Sequence, residues 1–250
     1  MERDMFEDYF TYWDDLPENS GFELFSLTHI AWLIVITAGI LCGIKFYMES
    51  GVFKRRKIRL VFAGILAGME LYKDSVLIIT GNMDFQYLPF QLCGLAVIIE
   101  ILYLIHPGDF LGEIMCIVAL PGALAALIFP DWTRYPVVNF MSLHSFIIHG
   151  ILVMLPIMIM LSGEYIPRIS YIYRVLLFFA VVVPVIYVIN IWQDTNFMFL
   201  RWPSRSSPFE KIYAKRGYGF YMSIYGIVVV LVILGMYGIA KLLEKLRKRI

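Results

Sequence analysis

Long apolar runs, each closed by a short polar or glycine- and proline-bearing break, follow one another along almost the whole chain. Seven of them approach the ~20 residues that a helix needs to cross the hydrocarbon of a bilayer. They cover roughly 27–48, 60–80, 89–106, 111–129, 140–162, 174–192 and 218–240. The pattern predicts an all-α fold, a polytopic membrane bundle of about seven transmembrane helices. One membrane domain then occupies 27–240, between an acidic external leader (1–26) and a basic cytoplasmic tail (241–250). Pro121, Pro156 and Pro184 fall inside the runs and are expected to kink their helices or alter the packing.

Composition agrees with the pattern. Of the 250 residues 60% are hydrophobic and only 16% charged, and the mean hydropathy is +0.74, outside the balance of a soluble domain. A net charge of +1 implies no affinity for nucleic acid. The leader has no basic segment or small-residue cleavage site, so no cleavable signal peptide is expected. Lys54, Arg55, Arg56, Lys57 and Arg59 follow the first run, and Lys241, Lys245, Arg247, Lys248 and Arg249 follow the last. With seven spans these two clusters share a side, the cytoplasm by the positive-inside rule, which puts the N-terminus outside a cell membrane. The segment with Arg201, Arg205, Lys211, Lys215 and Arg216 runs against that rule, since it would be external.

Chemistry-bearing residues gather in the expected outer half. Cys93 stands in Leu88-Pro89-Phe90-Gln91-Leu92-Cys93-Gly94, with Pro89 read as the first helical residue and Cys93 about one turn in. A helix start favours a thiolate, and an imidazole from another helix can take its proton; equally, a free cysteine packs as a small apolar side chain. The fifth run carries His144 and His149, five apart and so ~140° around the helix, off the single face that i,i+4 zinc ligands need. His149 is the candidate base and His144 a polar lining residue, each with the alternative of a simple interhelical hydrogen bond. Glu70, Lys73 and Asp74 make one polar face of the second run, where Glu70 and Lys73 are placed to pair. Gly64 and Gly68 have a spacing that permits close helix contact. The sixth run ends in Asn190-Ile191-Trp192-Gln193-Asp194-Thr195-Asn196; Asn190, Asp194 and Asn196 are candidates for substrate contact or helix capping. His29 and His106 lie at helix ends and are assigned solvated roles. Cys42 and Cys116 have no CxxC spacing, and neither a metal site nor an organic cofactor is called for.

Leu88-Pro89-Phe90-Gln91-Leu92-Cys93, Phe146-Ile147-Ile148-His149-Gly150 and Asp194-Thr195-Asn196-Phe197-Met198-Phe199-Leu200 together resemble the bacterial YwaF-type membrane proteins, which group with the eukaryotic transmembrane protein 164 acyltransferases. The resemblance covers nearly the whole chain. It implies an acyl-accepting nucleophile at Cys93 and its partner at His149. Gln91 departs from the many YwaF-like sequences with histidine there. The expectation is a lipid acyltransferase acting through a Cys93 thioester on membrane phospholipid or lysolipid. In it, Gln91, the amides at the start of the third helix or Asn190 would stabilise the oxyanion, and Glu70, Lys73, Asp74, His144, Asp194 and Asn196 would line the substrate site. The alternatives are an intramembrane lipid ester hydrolase, and a non-enzymatic transporter or lipid-binding protein. The inner halves of most helices read as apolar, which argues against transport.

Overall fold

The computed structural model of the protein describes residues 8–205 and 207–247. Residues 1–7 of the leader and 248–250 of the tail, including Lys248 and Arg249, lie outside the described part. Among the described residues seven helices carry the fold: α1 Leu27–Met48, α2 Val52–Ile79, α3 Leu92–Ile105, α4 Asp109–Ile128, α5 Phe140–Ser162, α6 Ile172–Trp192 and α7 Phe209–Arg247. No strand occurs among the described residues. Five of the helices are long and apolar enough to cross a membrane. The two others have separate reasons for differing: α2 has the length but carries charge at both ends, whereas α3 has only 14 residues, about 21 Å against a ~30 Å hydrocarbon core. The protein is a multi-pass helical membrane protein.

Helix α5 is the axis of the bundle. It packs against α1, α2, α3, α4 and α7, while α2 lies along α3 and α6 closes on α4. Of the apolar windows of α5 and α4, 72% and 61% are buried inside the molecule, against 6%, 22% and 17% for α1, α6 and α7. The last three therefore turn their apolar surface outward, toward lipid. Asn139 caps α5 through a 2.9 Å bond from the Met141 amide, and Gly163 ends it at φ 76°, a left-handed stop that suits glycine.

Several local expectations change. Pro89 is not the first helical residue: it sits in a turn, Gln91 is the N-cap, and α3 begins at Leu92. A Cβ on Gly94 would lie 2.7 Å from Pro89 Cα, so glycine lets the proline turn fold back onto the helix start. Gly64 and Gly68 meet nothing within 4 Å and make no helix contact, because α2 turns that face outward. Pro156 and Pro184 do lie inside α5 and α6. Pro121 follows a π-turn over Met115–Ala119 in α4, a widened turn of the kind that relieves a disrupted hydrogen-bond ladder. Helix α7 begins well before residue 218 and breaks at Gly217, φ 75°.

Candidate thiol and histidine site

Short α3 fixes where Cys93 lies. As the second residue of the helix, Cys93 is among amides that lack an intrahelical acceptor, and the amides of Cys93 and Gly94 both approach its sulfur. The thiol is half-buried, in contrast to exposed Cys42 and fully buried Cys116. Helix α3, about 21 Å long, is too short to reach both interfaces. The irregular backbone leading into it, wherever it meets hydrocarbon, has to be satisfied within the protein.

The Asp194–Leu200 segment provides much of that support. Asn190, fully buried on α6, donates from Nδ2 to the Phe197 carbonyl at 2.9 Å and accepts at Oδ1 from the Phe197 amide at 2.7 Å and the Thr195 hydroxyl at 2.9 Å. Asn196 donates to the Trp202 carbonyl and accepts from the Arg201 and Trp202 amides. Exposed Asp194 holds Arg201 at 2.7 Å. These bonds maintain a turn with positive φ at Asp194, Met198 and Phe199. Gln91 Oε1 then accepts from the Met198 amide at 2.8 Å, and Phe90 packs edge-on to Phe197 at 5.4 Å. Two of the three quoted sequence patterns are thus joined into one support beneath the start of α3. The side chains of Asn190 and Asn196 serve the turn, and so does the Gln91 carbonyl oxygen.

From α2, Glu70 binds Lys73 at 2.5 Å, and Lys73 also lies 3.4 Å from Asp74. Glu70 and Lys73 are within electrostatic reach of Cys93. His144 Nε2 stands 3.5 Å from Glu70 Oε1, and His149 is within the same reach of Glu70. Of the thiol and the two imidazoles, His144 is the one in direct contact with Glu70. His149 Nδ1 lies 2.7 Å from the Ser145 carbonyl oxygen, which only accepts, so in the neutral ring Nδ1 carries the proton and Nε2 keeps its lone pair. No hydrogen bond joins Cys93 and His149 among the described residues.

Two parts of this region were not singled out from sequence. Trp132 stacks on His149, centroids 5.0 Å apart, with its buried Nε1–H unpartnered among the described residues. In sequence it is an ordinary aromatic between two runs. The leader, read as an external extension, folds over the same end: the Phe22 amide binds the Thr133 carbonyl at 2.9 Å, the Phe140 amide binds the Tyr9 carbonyl at 3.0 Å, and Asn139 donates to the Asp8 and Thr11 carbonyls. Arg134 lies 4.4 Å over the Trp13 ring.

Elsewhere two expectations fail. His29 is not solvated: it is fully buried, with Nδ1 accepting from the Phe25 amide and Nε2 donating to the Leu127 carbonyl, so both nitrogens are engaged in packing α1 onto α4. The other half of the bundle is not apolar throughout, for Glu100 and Glu113 are fully buried there. Glu113 accepts from the Tyr165 hydroxyl, whereas neither Glu100 oxygen has a partner among the described residues. Exposed His106, at the end of α3, agrees with its expected role.

A family model, the TMEM164 family, matches residues 24–237. The chain belongs to the TMEM164 family. That match runs from just before α1 into α7 and includes every element of the site. No curated protein and no solved structure matches the chain. Among the described residues no group of three or more His, Cys, Asp or Glu side chains is placed to hold a metal ion.

Proposed function

We propose that this TMEM164-family protein is a lipid acyltransferase that carries the acyl group as a thioester on Cys93. The observation that supports it most is the placement of Cys93 at the second residue of α3, among amides without intrahelical acceptors, in the same polar region as Glu70 and His149. In the first step His149 Nε2 takes the thiol proton as sulfur attacks the ester carbonyl of a phospholipid. The C–O bond breaks, the lysolipid oxygen receives the proton from His149, and the acyl group stays on sulfur. In the second step His149 takes a proton from the hydroxyl of an acceptor lysolipid, whose oxygen attacks the thioester. The C–S bond breaks and the thiolate regains the proton. Amides at the start of α3 and the unpartnered Trp132 Nε1–H are the donors available to the oxyanion. Gln91 and Asn190 act by holding the α3 start in place.

Water as acceptor would make the same site a hydrolase, and product analysis separates the two. The proposal puts the site in the outer leaflet of the cell membrane, with the N-terminus outside; the basic clusters at the opposite end of the bundle support this, and the basic 201–216 segment runs against it. The deciding experiment incubates the purified protein with labelled phospholipid and lysolipid and analyses it by intact and peptide mass spectrometry. An acyl adduct on Cys93, lost on hydroxylamine treatment, is expected, together with label in the acceptor lipid. Cys93→Ser and His149→Ala should lose transfer by at least about 100-fold while remaining folded, and Cys42→Ser should keep it. Transfer at the wild-type rate in Cys93→Ser would overturn the thioester.

A further inference from the structure

We infer that the wedge between α1 and α2 is a binding site for an anionic phospholipid, at the end of the bundle opposite Cys93. Helix α1 packs on α5 and α2 on α3, so the two diverge from their shared turn at 49–51 and leave a groove of about 430 Å³ between them. Its walls include Phe46, Ile58, Val61 and Phe62, and Lys54 and Lys57 complete the lining. Phe46 and Val61 are 52% and 60% exposed, so this apolar surface opens sideways, where a lipid chain can enter.

Charge selects the class of lipid. The basic stretch at the start of α2 divides into residues with and without protein partners. Arg59 bonds Glu164 and the Tyr47 hydroxyl, and Arg55 donates to the Tyr47 and Met48 carbonyls at 3.1 and 2.9 Å. Among the described residues Lys54 and Lys57 pair with no acidic side chain. Lys54 instead rests on the Phe46 ring, its ammonium 4.4 Å from the centroid. Two unpaired ammonium groups beside an apolar groove complement an acyl chain bearing an anionic phosphate headgroup. A zwitterionic headgroup adds a trimethylammonium or ammonium charge that these lysines repel. The acyl chain would lie along Ile58, Val61 and Phe62, with the phosphate between the lysines.

Native mass spectrometry of the full-length protein with equal amounts of phosphatidylglycerol and phosphatidylcholine tests the assignment. The wild type is expected to retain phosphatidylglycerol preferentially. Lys54→Gln combined with Lys57→Gln should lower that retention roughly 10- to 30-fold, and Val61→Trp, which fills the groove, should reduce retention of both lipids. Cys93→Ser should leave the preference unchanged, which separates the groove from the thiol site. Equal retention of the two lipids by the wild type would overturn the inference, as would undiminished phosphatidylglycerol in the double lysine variant or loss of the preference in Cys93→Ser.

Discussion

Glu70 and Lys73 set the charge that Cys93 and the two histidines meet. Their 2.5 Å contact and side-chain exposures of 24% and 12% make them a partly screened pair, for which losing one partner costs more than losing both. Glu70→Gln and Lys73→Met are each expected to destabilise the protein by about 1–3 kcal/mol. The double variant should cost clearly less than the sum, and thermal denaturation in one detergent would measure the difference; full additivity would show that the contact contributes nothing. This pair was legible in the sequence because i,i+3 spacing places both groups on one side of a helix. His29 differs for the converse reason: its position at a helix end says nothing of the Leu127 carbonyl, 98 residues away, that occupies Nε2. Glu100 and Glu113 did carry a signal, a carboxylate inside an apolar run, which the apolar reading of that half passed over.

At the scale of elements, the Asp194–Leu200 turn and the start of α3 behave as one unit. Asn190→Ala removes three side-chain hydrogen bonds from a fully buried site and is expected to cost about 2–4 kcal/mol. Because Met198 holds Gln91, it should also slow Cys93 alkylation by a lipid-soluble maleimide. Slower alkylation without unfolding would show that the turn positions the thiol, and wild-type alkylation in a destabilised protein would limit Asn190 to stability. The runs of apolar residues gave most helix limits closely, since a bilayer demands length and apolarity together. They fail at Pro89, a residue that suits a helix start but here stands in the turn before it. The true N-cap, Gln91, is held by a residue 107 positions later, a contact no local pattern contains. The same limit applied to Asn190 and Asn196, whose clustering was visible in the sequence while their bonding partners were not.

For the molecule as a whole, the leader turns an open end of the bundle into a covered one, and its seat is built partly of tyrosine. Tyr87 and Tyr12 share a 2.9 Å hydroxyl contact, and Leu16 and Tyr135 belong to the same buried cluster. Burial pushes the Tyr135 phenol up to about 12 from its usual 10.0 and raises Tyr87 as well. The docked leader therefore holds these protons more tightly than a released one. The resulting stabilisation is complete below pH 10 and is lost as pH climbs through about 12. A spin label at Glu18→Cys, with Cys42 replaced by serine, should stay equally immobile from neutral pH to about 10 and loosen only as tyrosinate absorbance appears. Loosening that began near neutrality would show that groups other than these tyrosines hold the leader. Mobility unchanged while the tyrosines ionised would mean that Phe22, Asn139 and the backbone bonds hold the leader without them. Since the leader shares the 132–140 segment with Trp132 and the start of α5, its release should also loosen Trp132 over His149, so maleimide access to Cys93 is expected to rise over the same alkaline interval.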